Sequence, residues 1–133
     1  MLDVAGAVPA LVRNAARVLA GSVERYVFMS TISAYRDWPY QPVDESSPLW
    51  DGDPDLNPTT RRWDPDAYGP LKVGCELAIR REFAESTLFI RPLGDTAPIG
   101  AVVHRLAAAI EDGRDLPSMS GVLVGTAYRL LLG

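Results

Sequence analysis

The chain is short of several residue types, and each shortage excludes a class of protein. It has one cysteine among 133 residues, which excludes an internal disulfide framework and predicts a reducing, cytoplasmic compartment. No apolar run approaches the roughly 18 residues that a membrane span needs. The net charge of −4 argues against nucleic acid or an anionic membrane as the main partner. The single histidine, His104, has no cysteine or carboxylate at ligand spacing, so no metal site is predicted.

Glycine patterns and lysine are also scarce. The eleven glycines nowhere form G-x-x-G-x-x-G or G-x-G-x-x-G, the patterns of dinucleotide-binding loops. Lys72 is the only lysine beside twelve arginines. What the chain does have is apolar residues, at 47%, which is enough for the core of one domain of this length.

Apolar periodicity divides the chain into alternating elements. Asp3 is the expected cap of the first helix and Asp66 of the second, with Pro70 tolerated only in a first turn. Residues 122–128 fit a strand or a short helix. The alternation predicts an α/β fold with a parallel sheet. The predicted elements in chain order are helix 4–20, strand 23–30, helix 68–84, strand 87–91 and helix 98–112.

A long acidic loop separates the first strand from the second helix. It covers residues 36–66, and seven of the eleven prolines lie between Pro39 and Pro70. All three tryptophans, Trp38, Trp50 and Trp63, fall in this loop. Since a solvated tryptophan leaves a large apolar surface in water, part of the loop is expected to pack against the domain.

Two hydroxyl residues, Ser30 and Thr31, follow the apolar run of the first strand. Ligands of parallel sheets lie beyond the carboxyl ends of the strands, so these hydroxyls are placed to donate hydrogen bonds there. Tyr68 and Lys72 are four residues apart and therefore share a helix face. A nearby ammonium lowers the pKa of a phenol, which prepares it for general acid–base catalysis.

These segments resemble a known family. "VFMSTISAY", then "DAYGPLKVGCELAI", then "TLFIRP" are similar to the middle of the extended short-chain dehydrogenase/reductases, and more narrowly to the NAD-dependent epimerase/dehydratase group. The likeness covers roughly residues 5–94. The ordered set of a hydroxyl-ended strand, a Y-x-x-x-K helix and an "IRP" strand is much more specific than Y-x-x-x-K alone.

The resemblance implies roles for six residues. Thr31 would be the catalytic hydroxyl, Tyr68 the acid and base, and Lys72 the group that lowers the Tyr68 pKa and holds the nicotinamide ribose. Ser30, Arg91 and Pro92 would complete the contacts to the cofactor, either NAD or NADP. The substrate would be a small molecule that is oxidised, reduced, epimerised or dehydrated at a carbonyl or carbinol carbon.

The same resemblance implies an incomplete Rossmann-like parallel sheet flanked by helices. The chain is expected to form a single partial NAD(P)-binding domain over residues 1–133, with a family-like core at 1–94 and a divergent part at 95–133. It reads as the catalytic middle of a larger enzyme without its glycine-rich start. A missing N-terminal segment or a homodimer is therefore expected to cover an unpaired edge of the 23–30 strand.

Several alternatives stay open from the residues. The chain could be a truncated, non-catalytic remnant that folds or associates without binding cofactor. Lys72 could belong to a solvated stripe with Glu76 and Arg80, which form an i,i+4 pair. Tyr35 is expected to be a packing residue, and Cys75 a small buried hydrophobe.

Overall fold

The computed structural model describes residues 1–58, 64–91 and 121–124, with backbone alone for the last range. Four strands form a parallel sheet in the order β1-β2-β3-β4. The predicted α/β class is confirmed. The elements are β1 (Leu2–Asp3), α1 (Pro9–Leu19), β2 (Tyr26–Met29), a 3-10 helix (Ile32–Ala34), α2 (Pro65–Phe83), β3 (Thr87–Arg91) and β4 (Gly121–Val124).

The central strands β2 and β3 are buried on both faces. They pair in register from Tyr26↔Thr87 to Met29↔Ile90. All nine of their residues are buried, as the continuous apolar runs predict. β3 has the predicted bounds, while β2 is shorter at both ends than the predicted strand 23–30.

One face of the sheet packs against both helices. α1 and α2 contact each other, and their buried side chains meet aromatic residues of β2 and β3. Two pairs of rings pack edge to face, Tyr26 with Phe83 and Phe28 with Phe89. The thiol of Cys75 lies in this core, which confirms its prediction as a small buried hydrophobe.

The start of α1 corrects a prediction. The helix begins at Pro9, which suits a first helical position, and its N-cap is Val8, without a side-chain hydrogen bond. The Asp3 carboxylate accepts from the Ala5 and Gly6 amides and from the Tyr26 hydroxyl. Asp3 is therefore not a helix cap. The amide of Ala10, which has no partner inside the helix, donates instead to Leu56 O at 3.1 Å.

α2 begins three residues earlier than predicted. Asp64 is its N-cap and accepts from the amide of Asp66, which was the expected cap. Pro65 occupies the first turn, so Pro70 lies inside the helix and not in its first turn. The predicted helix 98–112, which includes His104, lies outside the described residues. Of the ambiguous stretch 122–128, residues 122–124 are strand.

The acidic loop packs against the helices in part. Residues 52–56, here called the strap, cross from α2 to α1, and Pro54 within it is buried. The Asp55 carboxylate pairs with Arg13 of α1 and Arg81 of α2. Gly74 of α2 lets the strap approach closely, since a Cβ there would lie 2.6 Å from Asp53 O.

The tryptophans of the loop differ in environment. Trp38 packs against a small buried cluster that includes Ile32 and Tyr35. Trp50 is 40% exposed, and Trp63 lies outside the described residues. Among the described helices, none is long and apolar enough to cross a membrane.

The edge of the sheet also differs from expectation. β2 is not an edge strand, because β1 pairs with it through Leu2↔Val27 and Asp3↔Phe28. The outermost described strand on that side is therefore β1.

Candidate active site

The carboxyl end of β2 presents two buried hydroxyl groups. The Ser30 amide continues the ladder by donating to Ile90 O at 2.7 Å, while the buried Ser30 hydroxyl has no hydrogen-bond partner in the described part of the chain. Thr31 caps the 3-10 helix, because its Oγ1 accepts from the Ser33 amide at 3.1 Å. This bond uses Thr31 as an acceptor, so its O–H stays available as a donor.

The first turns of α2 lie against the same segment. A Cβ placed on Gly69 would be 2.1 Å from Ser33 O and 3.0 Å from the Trp50 ring, so only glycine permits this approach. Tyr68 precedes Gly69 and is half-buried. The helix turn that carries the phenol is therefore held beside the residues that directly follow Thr31.

Lys72 is buried at the base of this region and is 3% exposed. Its Nζ donates to Met29 O and to Gly6 O, both at 2.7 Å, and lies 4.2 Å from the centroid of the Phe28 ring. An ammonium has three N–H donors, and these two carbonyls account for two of them. The alternative of a solvated stripe is wrong, because Lys72 and Glu76 are both buried and only Arg80 is exposed.

Burial is the main cause of the pKa shifts of Lys72 and Tyr68. Loss of water around the ammonium lowers the pKa of Lys72, and loss of water around the phenol raises the pKa of Tyr68, with the charge of Cys75, when that thiol is ionised, as a smaller cause of the rise. The direction for Tyr68 is opposite to the lowering expected from Lys72. A phenol with a raised pKa is protonated at neutral pH and can donate its proton.

Arg91, at the end of β3, has internal partners for its guanidinium. It forms a bidentate pair with Glu76 of α2 through Nε and Nη2, and its Nη1 donates to the Tyr35 hydroxyl at 2.8 Å. Burial of the guanidinium disfavours its charge, but the hydrogen bonds and charge of Glu76 outweigh burial and raise the pKa of Arg91. Pro92 lies outside the described residues.

The structure thus places five of the six predicted site residues. Ser30, Thr31, Tyr68 and Lys72 come from the end of β2 and the facing side of α2, and Arg91 ends the adjacent strand. Sequence reasoning missed the part played by Glu76. An arginine in the buried run "TLFIR" requires a buried acid, and Glu76 lies four residues beyond Lys72 on the same helix face.

Within the described ranges, no group of three or more His, Cys, Asp or Glu side chains is placed to hold a metal ion.

No protein-family model matches the chain, and no curated protein or solved structure is significantly similar to it. The resemblance to the extended short-chain dehydrogenase/reductases therefore depends on the motif residues themselves.

Proposed function

We propose that this chain carries the proton-transfer groups of an NAD(P)-dependent oxidoreductase, epimerase or dehydratase that acts on a small molecule. Its parallel sheet would be part of a Rossmann-like domain. The observation that supports this best is the position of Lys72, whose buried ammonium binds Met29 O, directly before Ser30 and Thr31. Burial of the Lys72 ammonium costs free energy. A role of this charge in cofactor binding or catalysis would account for its presence in the core.

The residues present fit the nicotinamide–ribose end of such a cofactor. The Ser30 hydroxyl is buried without a partner in the described structure, and Lys72 has one N–H beyond its two carbonyl bonds. The hydroxyls of the ribose are proposed as the partners of these two groups. When bound, NAD or NADP supplies or accepts the hydride. Because the Arg91 guanidinium is bound to Glu76 and Tyr35, only the backbone of Arg91 is proposed to line the nicotinamide, together with Pro92.

The side chains would handle the proton and the substrate oxygen. The Tyr68 O–H donates its proton to the carbonyl oxygen as that oxygen gains charge, and the Thr31 O–H donates a hydrogen bond to the same oxygen. The Tyr68 phenol is protonated at neutral pH, as this reductive direction requires, and the raised pKa makes it a weaker acid than a free phenol. In the oxidative direction the positive charge of Lys72 would stabilise the phenolate.

A second candidate is a non-catalytic domain that keeps the fold without binding cofactor. One observation favours it: the two carbonyl bonds of Lys72 join the segment after β1 to the end of β2 and so give the lysine a structural role. In that case the ammonium would need no ligand, and the Tyr68 phenol would have no part in proton transfer.

Cofactor titration separates the two candidates. NADH and NADPH are added to the purified chain while nicotinamide fluorescence and tryptophan quenching are recorded. Micromolar binding that is lost in Ser30→Ala and Lys72→Met supports the enzyme, with Ser46→Ala, at an exposed position, as the matched control. No binding at millimolar cofactor would support the non-catalytic domain and contradict our proposal.

The catalytic roles are tested next, with a panel of ketones and secondary alcohols as substrates. Tyr68→Phe is expected to keep cofactor binding and to lose turnover by about 100-fold or more, as removal of a general acid does. Tyr40→Phe is the control, since Tyr40 is 89% exposed. Thr31→Ser should retain activity that Thr31→Val loses. Equal turnover in Tyr68→Phe and Tyr40→Phe would refute the role of Tyr68.

The setting of the protein is part of the same proposal. A buried thiol at Cys75 fits the reducing cytoplasm. A homodimer or a further protein segment is proposed to cover β1, the outermost described strand on its side, and light scattering of the purified chain measures the former. Neither nucleic acid nor a membrane is proposed as a partner.

A further inference from the structure

One face of α2 contacts three separate parts of the proposed site. Tyr68, Lys72 and Glu76 are spaced four residues apart, so they lie on three successive turns of the same face. The Tyr68 turn lies beside Ser33, Lys72 binds the carbonyl of Met29, and Glu76 binds Arg91. The helix therefore contacts the chain on both sides of Thr31, at Met29 and at Ser33.

The far end of that segment is held through a buried polar chain. The guanidinium of Arg91 connects Glu76 to the Tyr35 hydroxyl, and its Cζ lies 4.9 Å from the centroid of the Tyr35 ring. All three residues are at most 4% exposed. Hydrogen bonds that involve a charge are strong, and water does not compete with buried ones.

Tyr35 also closes the 3-10 helix that Thr31 opens. The Tyr35 amide donates to Ile32 O at 3.0 Å, and the Ala34 amide donates to Thr31 O at 3.2 Å. Movement of Tyr35 is therefore transmitted through one short helix to the backbone of Thr31. The backbone at this end is also held by the loop, because the Arg36 amide donates to Pro48 O and the Trp50 amide to Ala34 O, both at 3.0 Å, and the bond from Arg91 adds the one hydrogen bond to the Tyr35 side chain.

We propose that Tyr35 is a positioning residue: its hydroxyl, fixed by the Arg91–Glu76 pair, sets the Thr31 hydroxyl relative to Tyr68. The consequence for catalysis depends on the function proposed above. The positioning itself is a property of the chain without cofactor, and it can be measured there. It differs from the expected packing role, for which the ring alone suffices.

Two buried tyrosines make a matched comparison. Tyr35 and Tyr26 are both fully buried, and each hydroxyl has one side-chain partner at 2.8 Å, Arg91 for Tyr35 and Asp3 for Tyr26. Tyr35→Phe and Tyr26→Phe each remove one hydroxyl and leave one buried partner without its bond. Only the first change affects the polar chain that leads to Thr31.

The readout is the NMR signal of the Tyr68 ring carbon that bears the hydroxyl, in protein with ¹³C-labelled tyrosine. Tyr68→Phe identifies this signal by its loss. We expect the Tyr68 signal at neutral pH to shift or broaden in Tyr35→Phe and to stay unchanged in Tyr26→Phe. Glu76→Asp, which withdraws the carboxylate from Arg91 by one methylene, should change the signal like Tyr35→Phe and serves if that variant does not fold.

Two results would overturn the positioning role. One is an unchanged Tyr68 signal in a folded Tyr35→Phe or Glu76→Asp protein, and the other is an equal change in Tyr26→Phe. These outcomes are independent of cofactor titration. If NADH and NADPH do not bind while the Tyr68 signal responds to Tyr35→Phe, the proposed function fails and the positioning stands. If cofactor binds and the signal does not respond, the reverse holds.

Discussion

Arg91→Met tests how strongly the fold depends on the buried pair of Arg91 and Glu76. Both side chains are almost fully buried, at 3% and 4% exposure. Removal of one partner leaves a charge in a site that water does not reach, which typically costs about 3–5 kcal/mol. The Tyr35 hydroxyl loses its donor in the same variant.

This loss is a large part of the total free energy of unfolding. A chain of this length has a free energy of unfolding of about 7–20 kcal/mol, at roughly 0.05–0.15 kcal/mol per residue. A loss of about 4 kcal/mol moves the urea midpoint down by about 2 M when the slope is near 2 kcal/mol per molar. Urea unfolding, followed by circular dichroism and tryptophan fluorescence, is the assay.

Two companion variants isolate the cause. Arg91→Met combined with Glu76→Leu removes both charges, and we expect it to recover most of the loss, because apolar replacements of buried pairs are often neutral or stabilising. Arg17→Met breaks the exposed pair with Glu82 and should cost less than about 1 kcal/mol. A loss below about 1 kcal/mol in Arg91→Met, or a double variant as unstable as the sum of the two single changes, would refute the reasoning.

The double variant also tests the cofactor role of Arg91. If the folded double variant binds NADH as tightly as the unaltered chain, the guanidinium has no part in cofactor binding. We expect this result, because the guanidinium is already occupied by Glu76 and Tyr35.

Two further predictions concern alkaline stability and the strap. Burial raises the pKa of Cys75 from 9.0 to about 12, so the unfolded chain releases this proton first and stability should fall as the pH rises from 9 towards 12. The contribution is up to about 4 kcal/mol, and Cys75→Ala should lose that part of the pH dependence in urea unfolding at pH 8 and pH 10.5; an unchanged slope would contradict it. Gly74→Ala should destabilise by about 1–3 kcal/mol, since its Cβ would lie 2.6 Å from Asp53 O and 2.8 Å from the Pro9 ring. Gly21→Ala, where nothing lies within 4 Å, should be neutral or stabilising by up to about 1 kcal/mol, and equal thermal melting of the two variants would count against the close packing of the strap.

The strand β3 was the most predictable element of the fold, whereas β1 was not predicted and β2 is shorter than its predicted range. The run from Thr87 to Arg91 has no competing helical pattern, and the following Pro92 ends it, so its bounds follow from the residues. The helix starts were less predictable. Apolar periodicity continues back to Val4, and only the structure shows that the carboxylate of Asp3 serves a turn and Tyr26 instead of α1.

The candidate site, like the fold, could be predicted from the sequence only in part. The hydroxyls of Ser30 and Thr31 and the Tyr68–Lys72 pair could be found, because each depends on short-range spacing along the chain. The Arg91–Glu76 pair could not be predicted, because Arg80, four residues after Glu76 on the same helix, is a local candidate for the same ion pair. Tertiary packing decides between the two arginines by burying Glu76 and exposing Arg80.

The order of the strands has a consequence for ligands. In the described sheet the strands lie side by side in chain order, β1-β2-β3-β4, so each new strand is added on the same side of the one before it. In open α/β sheets an elongated dinucleotide spans the crevice where that order reverses, and each of its halves meets a different half of the sheet. Since the order of strands does not reverse among these four, they can contact only one half of a dinucleotide. For the proposed site that half is the one near Ser30 and Lys72, so nicotinamide mononucleotide should compete with the complete dinucleotide almost as an equal.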